Sequence, residues 1–445
     1  MATVHVPSQL GALIGGSSRL RLEGRNVGEL IASLEAAHPR TRGWVVNEVG
    51  ALRPHVKVFV NGESAGMDGE VGDSDEVRIL PAISGGAEDP VEVLVGTRKG
   101  LFVLRGPRSS DLGIAGRAFD GAEVEYAIRD PWTGTYLASV TNPYYGPRIH
   151  LTEDPTGEWV ASEGPLFPEG VDATVQRTWV IHPGVEDGVL WAGVAPAALF
   201  RSDDGGRNWE LNRGLWDQPT RPQWEGGAGG LCLHSICPWP GDPRRLSVGI
   251  SAVGVWHTED GGESWHRGVR GLVARYLPDD ASADSVNLCV HNLRRSPVDP
   301  TTMYLQFHGG VYRSDDAGEA WTDIGTGGGL PSDFGFPMVV DPRDADRAWV
   351  IPLVADIDRV TPEGKVRVYE TADRGETWIA RAEGLPQENG YLTILRQAFG
   401  ADGRDPLGLY FGATSGELFG SADAGRTWRT LALRLPPINS VRASP

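Results

Sequence analysis

The feature that most constrains this chain is an eight-residue phrase that returns with nearly constant spelling. It reads SDDGGRNW from Ser202 to Trp209, TEDGGESW from Thr258 to Trp265, SDDAGEAW from Ser314 to Trp321, TADRGETW from Thr371 to Trp378 and SADAGRTW from Ser421 to Trp428. A sixth version, TEDPTGEW from Thr152 to Trp159, keeps the hydroxyl, the Asp and the Trp but shifts the Gly by one. The starts lie 50 to 57 residues apart, a spacing that belongs to repeat arrays and not to one large core. Each phrase reads as a turn. Ser/Thr and Asp side chains bond nearby backbone, and Gly takes up a positive φ. The Trp then opens the next strand with a large face to bury. The chain's 60 Gly and 15 Trp fit many short strands joined by Gly turns.

The phrase resembles the Asp-box (BNR) repeat of sialidase-like β-propellers, S/T-x-D-x-G-x-x-W. That resemblance implies blades of four strands, with the box as the turn between the third and fourth. VEVLVGTRKGLFVLRG (Val91 to Gly106) matches the two strands that precede a box but carries none, and so adds a seventh unit. The first strand of each unit is apolar and ends near a Pro, as in RTWVIHP (Arg177 to Pro183), HNLRRSP (His291 to Pro297) and FPMVVDP (Phe336 to Pro342). The first unit lacks this strand, and NSVRASP (Asn439 to Pro445) is left over at the other end. The expected architecture is therefore an all-β seven-bladed propeller over 91–445, closed by the C-terminal strand, with six blades as the alternative. The 359 residues after Gly86, shared among seven, give about 51 each, enough for four strands. Alternating strand direction puts the boxes on one face and the long insertions on the other. Those insertions are Asn142 to Arg148, Trp216 to Gly230, Arg275 to Val286, Gly325 to Asp333 and Pro352 to Lys365, and function concentrates on such loops.

Residues 1–86 have another rhythm. Thr3 to Pro7 and Leu20 to Leu22 read as a hairpin. Val27, Leu30, Ile31 and Leu34 follow helical spacing behind an Asn26/Glu29 capping box, with Pro39 as the stop. Val56 to Val60 and Glu76 to Leu80 read as two more strands, giving an α+β order ββαββ. The order is that of a ubiquitin-like β-grasp, and GDSDEVRILPAISGG (Gly72 to Gly86) with VFVNGE (Val58 to Glu63) resembles the MoaD/ThiS sulfur carriers. The resemblance implies a Gly85-Gly86 tail whose terminal carboxyl is adenylated, at the expense of ATP, by a separate activating enzyme of the ubiquitin-activating type and then converted to a thiocarboxylate. Two glycines without Cβ can thread a narrow channel. Here Gly86 is followed by a linker, 87–90, and 355 further residues. Either a protease of the JAB type cuts after Gly86, or the module carries no sulfur and serves as an accessory.

A formal charge of −18 argues against nucleic acid or an anionic membrane as a partner. Three cysteines (Cys232, Cys237, Cys289), odd in number and without paired spacing, point to free thiols in a reducing compartment. With no signal-like or long apolar segment, a cytoplasmic location is expected.

Aligning the first strands on their Pro places Arg177, His234, His291, Phe336 and Asn439 around the mouth of the axial channel, with Glu125 as the equivalent in the second blade and His308 in a turn on the same face. Two or three of His234, His291 and His308 with Glu125 could hold a divalent metal. Arg177 with the histidines could bind an organic or anionic ligand, small molecule or protein, and an ordinary polar channel needs neither. Sialidases also carry an Arg triad, a Tyr–Glu nucleophile pair and an Arg-Ile-Pro-type motif early in the propeller. The first blade, GTRKGLFVLRG, has no such motif. Carboxylates that could pair for glycoside hydrolysis (Glu225, Asp279, Asp280, Asp356, Asp358) are unremarkable in a chain with 59 acids. Whether the chain is an enzyme is left open.

Overall fold

Val27, Leu30, Ile31 and Leu34 all point one way from an eleven-residue helix, α1 (Val27–Ala37), and all four are buried. Asn26 caps α1 by accepting a hydrogen bond from the Glu29 backbone N–H at 2.8 Å. The reciprocal arm of the capping box reaches one residue further than expected, where the Glu29 carboxylate accepts from the backbone N–H of Arg25. The helix ends at Ala37, and Pro39 opens a short 3₁₀ turn. It packs on strands β1 (Ala2–His5), β2 (Arg19–Leu22), β3 (Val56–Val60), β4 (Glu63–Ala65) and β5 (Glu76–Pro81), arranged in the order β2-β1-β5-β3-β4. β1 and β5 run parallel, which gives a β-grasp whose core joins Val4, Val58, Val77 and Ile79 to the helix. β4 is an addition to the expected four strands. Asn61 and Gly62, at φ 52° and 90°, form the two-residue turn that folds it back on β3.

The computed structural model describes all residues except 8–9, 11–13, 15–18, 42–43, 47–51, 53–55, 82–89, 278–284, 326 and 445. The chain divides into two compact units, Met1–Glu88 and Asp89–Pro445. The Gly85-Gly86 tail and the linker residues 87–89 lie outside the described residues, as do Asp279 and Asp280.

The second unit is β-rich. Its described residues form seven four-stranded antiparallel sheets, six of them ordered as the chain runs. Six are continuous in sequence and begin with Glu123–Arg129, Arg177–Pro183, Cys232–Trp239, Val290–Arg295, Gly335–Val340 and Phe399–Ala401. The seventh joins the two ends of the unit. Ile438–Ser444 pairs antiparallel with Val91–Thr97, Val441 opposite Val95, and Gly100–Gly106 and Gly113–Ala118 follow. First strands of consecutive sheets are neighbours, and the succession returns to its start because Ile438–Ser444 lies beside both Phe399–Ala401 and Glu123–Arg129.

The repeated phrase explains the outer turns. In five copies the Ser or Thr hydroxyl donates to the Asp two residues on and accepts from the Gly N–H four residues on. For Ser314 these bonds run to Asp316 at 2.8 Å and from Gly318 at 2.9 Å. The residue before that Gly is left-handed whatever its type: Gly205, Gly261, Ala317, Arg374 and Ala424 have φ between 61° and 82°. Ser264, which bonds Asp260 through hydroxyl and backbone, and the Thr258 hydroxyl hold the Asp260 carboxyl well below the usual range. The box Trp is buried, and its indole N–H can reach the preceding sheet, as Trp321 does to the Gly268 carbonyl at 3.0 Å. The sixth phrase departs from this pattern. The Thr152 hydroxyl bonds the Asp154 backbone carbonyl instead of the carboxylate.

Candidate functional site

Six first strands break register by one or two residues, and the residues left unpaired are Glu125, Trp179, His234, His291, Phe336 with Pro337, and Asn439. A bulge re-aims a side chain that regular pleating would send to a sheet face. Here Glu125, Trp179, His291, Phe336 and Asn439 all line one cavity of about 680 Å³. The same cavity takes in Arg177 and His308, and the insertions contribute Glu225–Gly229, Tyr276, Asp356 and Arg359. The insertions at 142–148 and 325–333 contribute no lining residue among those described.

His234 is the exception. Its ring turns sideways between sheets, with Nε2 at 3.0 Å from the Val290 carbonyl and Nδ1 at 3.0 Å from the Ser235 hydroxyl. It is fully buried and does not line the cavity. The expected His234, His291 and His308 trio is therefore not assembled. In its place, Cys289, His291 and His308 put one potential ligand atom each within 4.8 Å of one another. This group is close enough to coordinate a metal. Cys289 was not anticipated, although Cys289 and His291, two apart in an extended segment, share a side.

Electrostatics divides the cavity. Glu125 is 5% exposed, and burial lifts its carboxyl to about 7 against the pull of Arg177, whose Nε stands 3.4 Å from Oε1. Arg177 also approaches Glu123 at 3.5 Å, and Asn439 donates to Glu123 at 3.2 Å. On the other side stands Arg396, 8% exposed. Its Nε donates to the His291 carbonyl at 2.9 Å, and its guanidinium lies over Trp179 and Phe336. Arg359 also lies over Phe336. Among the described residues neither arginine has a carboxylate within ion-pair distance. Burial, reinforced by Arg396, drives the His291 imidazole well below its ordinary value, so it is neutral near pH 7. Burial likewise lowers His308 and raises the Cys289 thiol. Beneath the cavity a polar layer closes the space between first strands: Gln397 donates to the His234 carbonyl, Asn292 to the Arg396 carbonyl and Arg442 to the Gln397 side chain.

Arg396 and Gln397 escaped the alignment because their strand ends in Asp402-Gly403 instead of Asp-Pro. The match of GADGRD (Gly400 to Asp405) to VVDPRD (Val339 to Asp344) was the available signal.

Comparison with known proteins separates the two units. Residues 4–86 match the ThiS family model. Sulfur carrier protein CysO of Mycobacterium tuberculosis is 32% identical over 90 residues, covering 19% of this chain and 97% of the relative. The chain belongs to the ThiS family through this region. An oligoxyloglucan-reducing end-specific xyloglucanase of Emericella nidulans is 25% identical over 215 residues, 42% of this chain. The chain spans only 25% of that relative's length. Among solved structures, an ancestral GH74 enzyme is 15% identical over 72% of this chain and 38% of its own, with a TM-score of 0.46. YCF48 from Cyanidioschyzon merolae is 15% identical over 69% of this chain and 84% of its own, with a TM-score of 0.44. None of these three is a sialidase, the family that the repeat resembles. Among the described residues no helix is long and apolar enough to cross a membrane.

Proposed function

We propose that the β-rich unit is a seven-bladed propeller whose axial cavity binds a small anionic ligand, in one chain with a sulfur-carrier module. Seven four-stranded sheets and the cyclic order of their first strands support seven blades over six. The observation that supports the ligand reading is Arg396, a buried guanidinium on the cavity wall with no carboxylate beside it among the described residues. A buried cation without a counter-charge is costly. A ligand carboxylate or phosphate that supplies one gains charge-assisted hydrogen bonds, and Arg359 stands ready as a second donor. Inorganic phosphate, citrate and glucuronate are suitable probes. At least one should raise the melting temperature, and Arg396→Lys should weaken its binding in calorimetry by roughly tenfold or more. No response to any of the three would sink the reading.

A carbohydrate-directed reading rests on a different observation. Trp179, Tyr276, Phe334 and Phe336 offer aromatic surface in the same cavity as Glu125, a carboxyl poised near 7 and so suited to general acid work. Binding of neutral xyloglucan oligosaccharides, with turnover lost in Glu125→Gln, would favour it over the anion reading.

For the first unit, the family match that ends at Gly86 supports a tail carried on Gly85-Gly86. It would be exposed by a JAB-type protease cutting after Gly86 and activated with ATP by an enzyme of the ubiquitin-activating type. Intact mass of the protein from its own host tests this: a fragment ending at Gly86, or its thiocarboxylate 16 Da heavier than the acid by exchange of oxygen for sulfur, is expected. A chain found only uncut would favour an accessory module.

A further inference from the structure

We infer that Cys289, His291 and His308 form a binding site for a thiophilic divalent metal such as Zn²⁺, with an open coordination position facing the cavity. The three ligand atoms lie within 4.8 Å of one another, and all three residues line the cavity wall. With Zn–S near 2.3 Å and Zn–N near 2.0 Å, tetrahedral ligands stand roughly 3.5 Å apart, so small side-chain rotations close the site. The mixed sulfur and imidazole set selects Zn²⁺ and its neighbours over Mg²⁺ or Ca²⁺.

The surroundings are those a metal site needs. The His291 Nδ1 donates to the Gly335 carbonyl at 2.7 Å, which fixes the tautomer and leaves the Nε2 lone pair free, the arrangement typical of metal-bound histidine. Its ring is stacked on Phe336 at 4.6 Å and met edge-on by Phe334 at 5.2 Å, so it cannot swing away. His308 stands edge-on to His291 at 5.3 Å and to Tyr276 at 4.6 Å. An Asp356 carboxylate oxygen lies 3.9 Å from its Nε2, an electrostatic neighbour beyond hydrogen-bond reach. The Cys289 backbone N–H donates to the Tyr276 hydroxyl at 2.7 Å, holding the segment that carries the thiol against the same wall. On binding, the Cys289 thiol releases its proton to solvent and its sulfur takes the metal as thiolate, with no change of oxidation state. Three protein ligands leave a fourth position for water or for a ligand of the cavity.

The full chain, stripped with chelator and dialysed against Zn²⁺ or Co²⁺, should take up about one equivalent. The Co²⁺ form should show a thiolate-to-cobalt charge-transfer band, absent in Cys289→Ser. Zn²⁺ affinity should fall at least ~10-fold in Cys289→Ser and in His308→Ala. Uptake below about a tenth of an equivalent, or uptake that survives both ligand substitutions, overturns the site. Should the variants not fold, the wild-type Co²⁺ spectrum decides, because a cobalt complex without the thiolate band also overturns it. The inference stands apart from the anion reading. A metal-free protein that binds phosphate, or a metal-loaded one that ignores it, separates the two.

Discussion

The repeated hydroxyl–Asp–Gly–Trp turns and the first-strand bulges recur with the same period but under opposite rules. Every full box repeats its residues, hydroxyl to Asp to Gly to Trp, and repeats its hydrogen bonds with them. The bulges repeat only the irregularity and vary the residue, from Glu to Trp to two His to Phe to Asn. Where a backbone device is kept with fixed chemistry, the device itself is the product: a closed turn that ties one sheet to the next. Where it is kept with varied chemistry, it is a mount, and what is mounted differs around the cavity. The difference separates the residues that hold the fold from those that give the cavity its character.

That separation can be broken by experiment. The largest effect should come from Trp321→Ala, which empties a buried indole site and removes its bond to Gly268. A loss of ~3–5 kcal/mol in urea unfolding is expected. Asn439→Ala, at a bulge, should cost far less, and the two rules collapse if it costs as much.

Next is Glu125→Gln, read as a stability-versus-pH profile. The folded carboxyl titrates near 7, above its ordinary 4.5. The native state therefore holds a proton that the unfolded state releases between these values, and wild-type stability falls as pH rises from about 4.5 to about 7. The variant should match wild type near pH 4 and exceed it near pH 8 by up to ~3 kcal/mol. Parallel profiles would mean the carboxyl is ionised throughout. The smallest effect belongs to Ser314→Ala, which leaves the Gly318 N–H and the Asp316 carboxylate without their shared hydroxyl and should cost ~1–2 kcal/mol. A larger loss in Ser314→Ala than in Trp321→Ala would shift the weight of the box from its indole to its hydrogen bonds.

Much of this was legible in the chain because turns and strand ends are local. The boxes marked the third-to-fourth strand turns, and the Pro that closes a first strand stands six residues after the bulge at Glu125, His234, His291, Phe336 and Asn439. Arg177 was aligned two residues short of its bulge at Trp179, yet its long side chain still reaches the cavity. What stayed hidden depended on neighbours. The direction of the His234 ring is set by the Val290 carbonyl on the next sheet, and that no carboxylate stands beside Arg396 among the described residues depends on the placement of acids from several other elements. Strand β4 was missed because three residues after a turn carry no alternation to read. In the first unit the helix was legible to the residue at its N-cap, where side-chain chemistry acts on its own backbone.

The pairing of Ile438–Ser444 with Val91–Thr97 has a consequence for how the molecule is made. About 340 residues separate the partners of this sheet, so no local segment can complete it. During synthesis at ~5–20 residues per second, Val91–Thr97 waits on the order of tens of seconds with its inner edge unpaired, while the six sequence-continuous sheets can form as they emerge. An exposed edge is a template for wrong partners. The nascent chain is therefore most vulnerable to aggregation late in its synthesis, and a stall shortly before codon 438 should be more damaging than one before the last complete sheet begins.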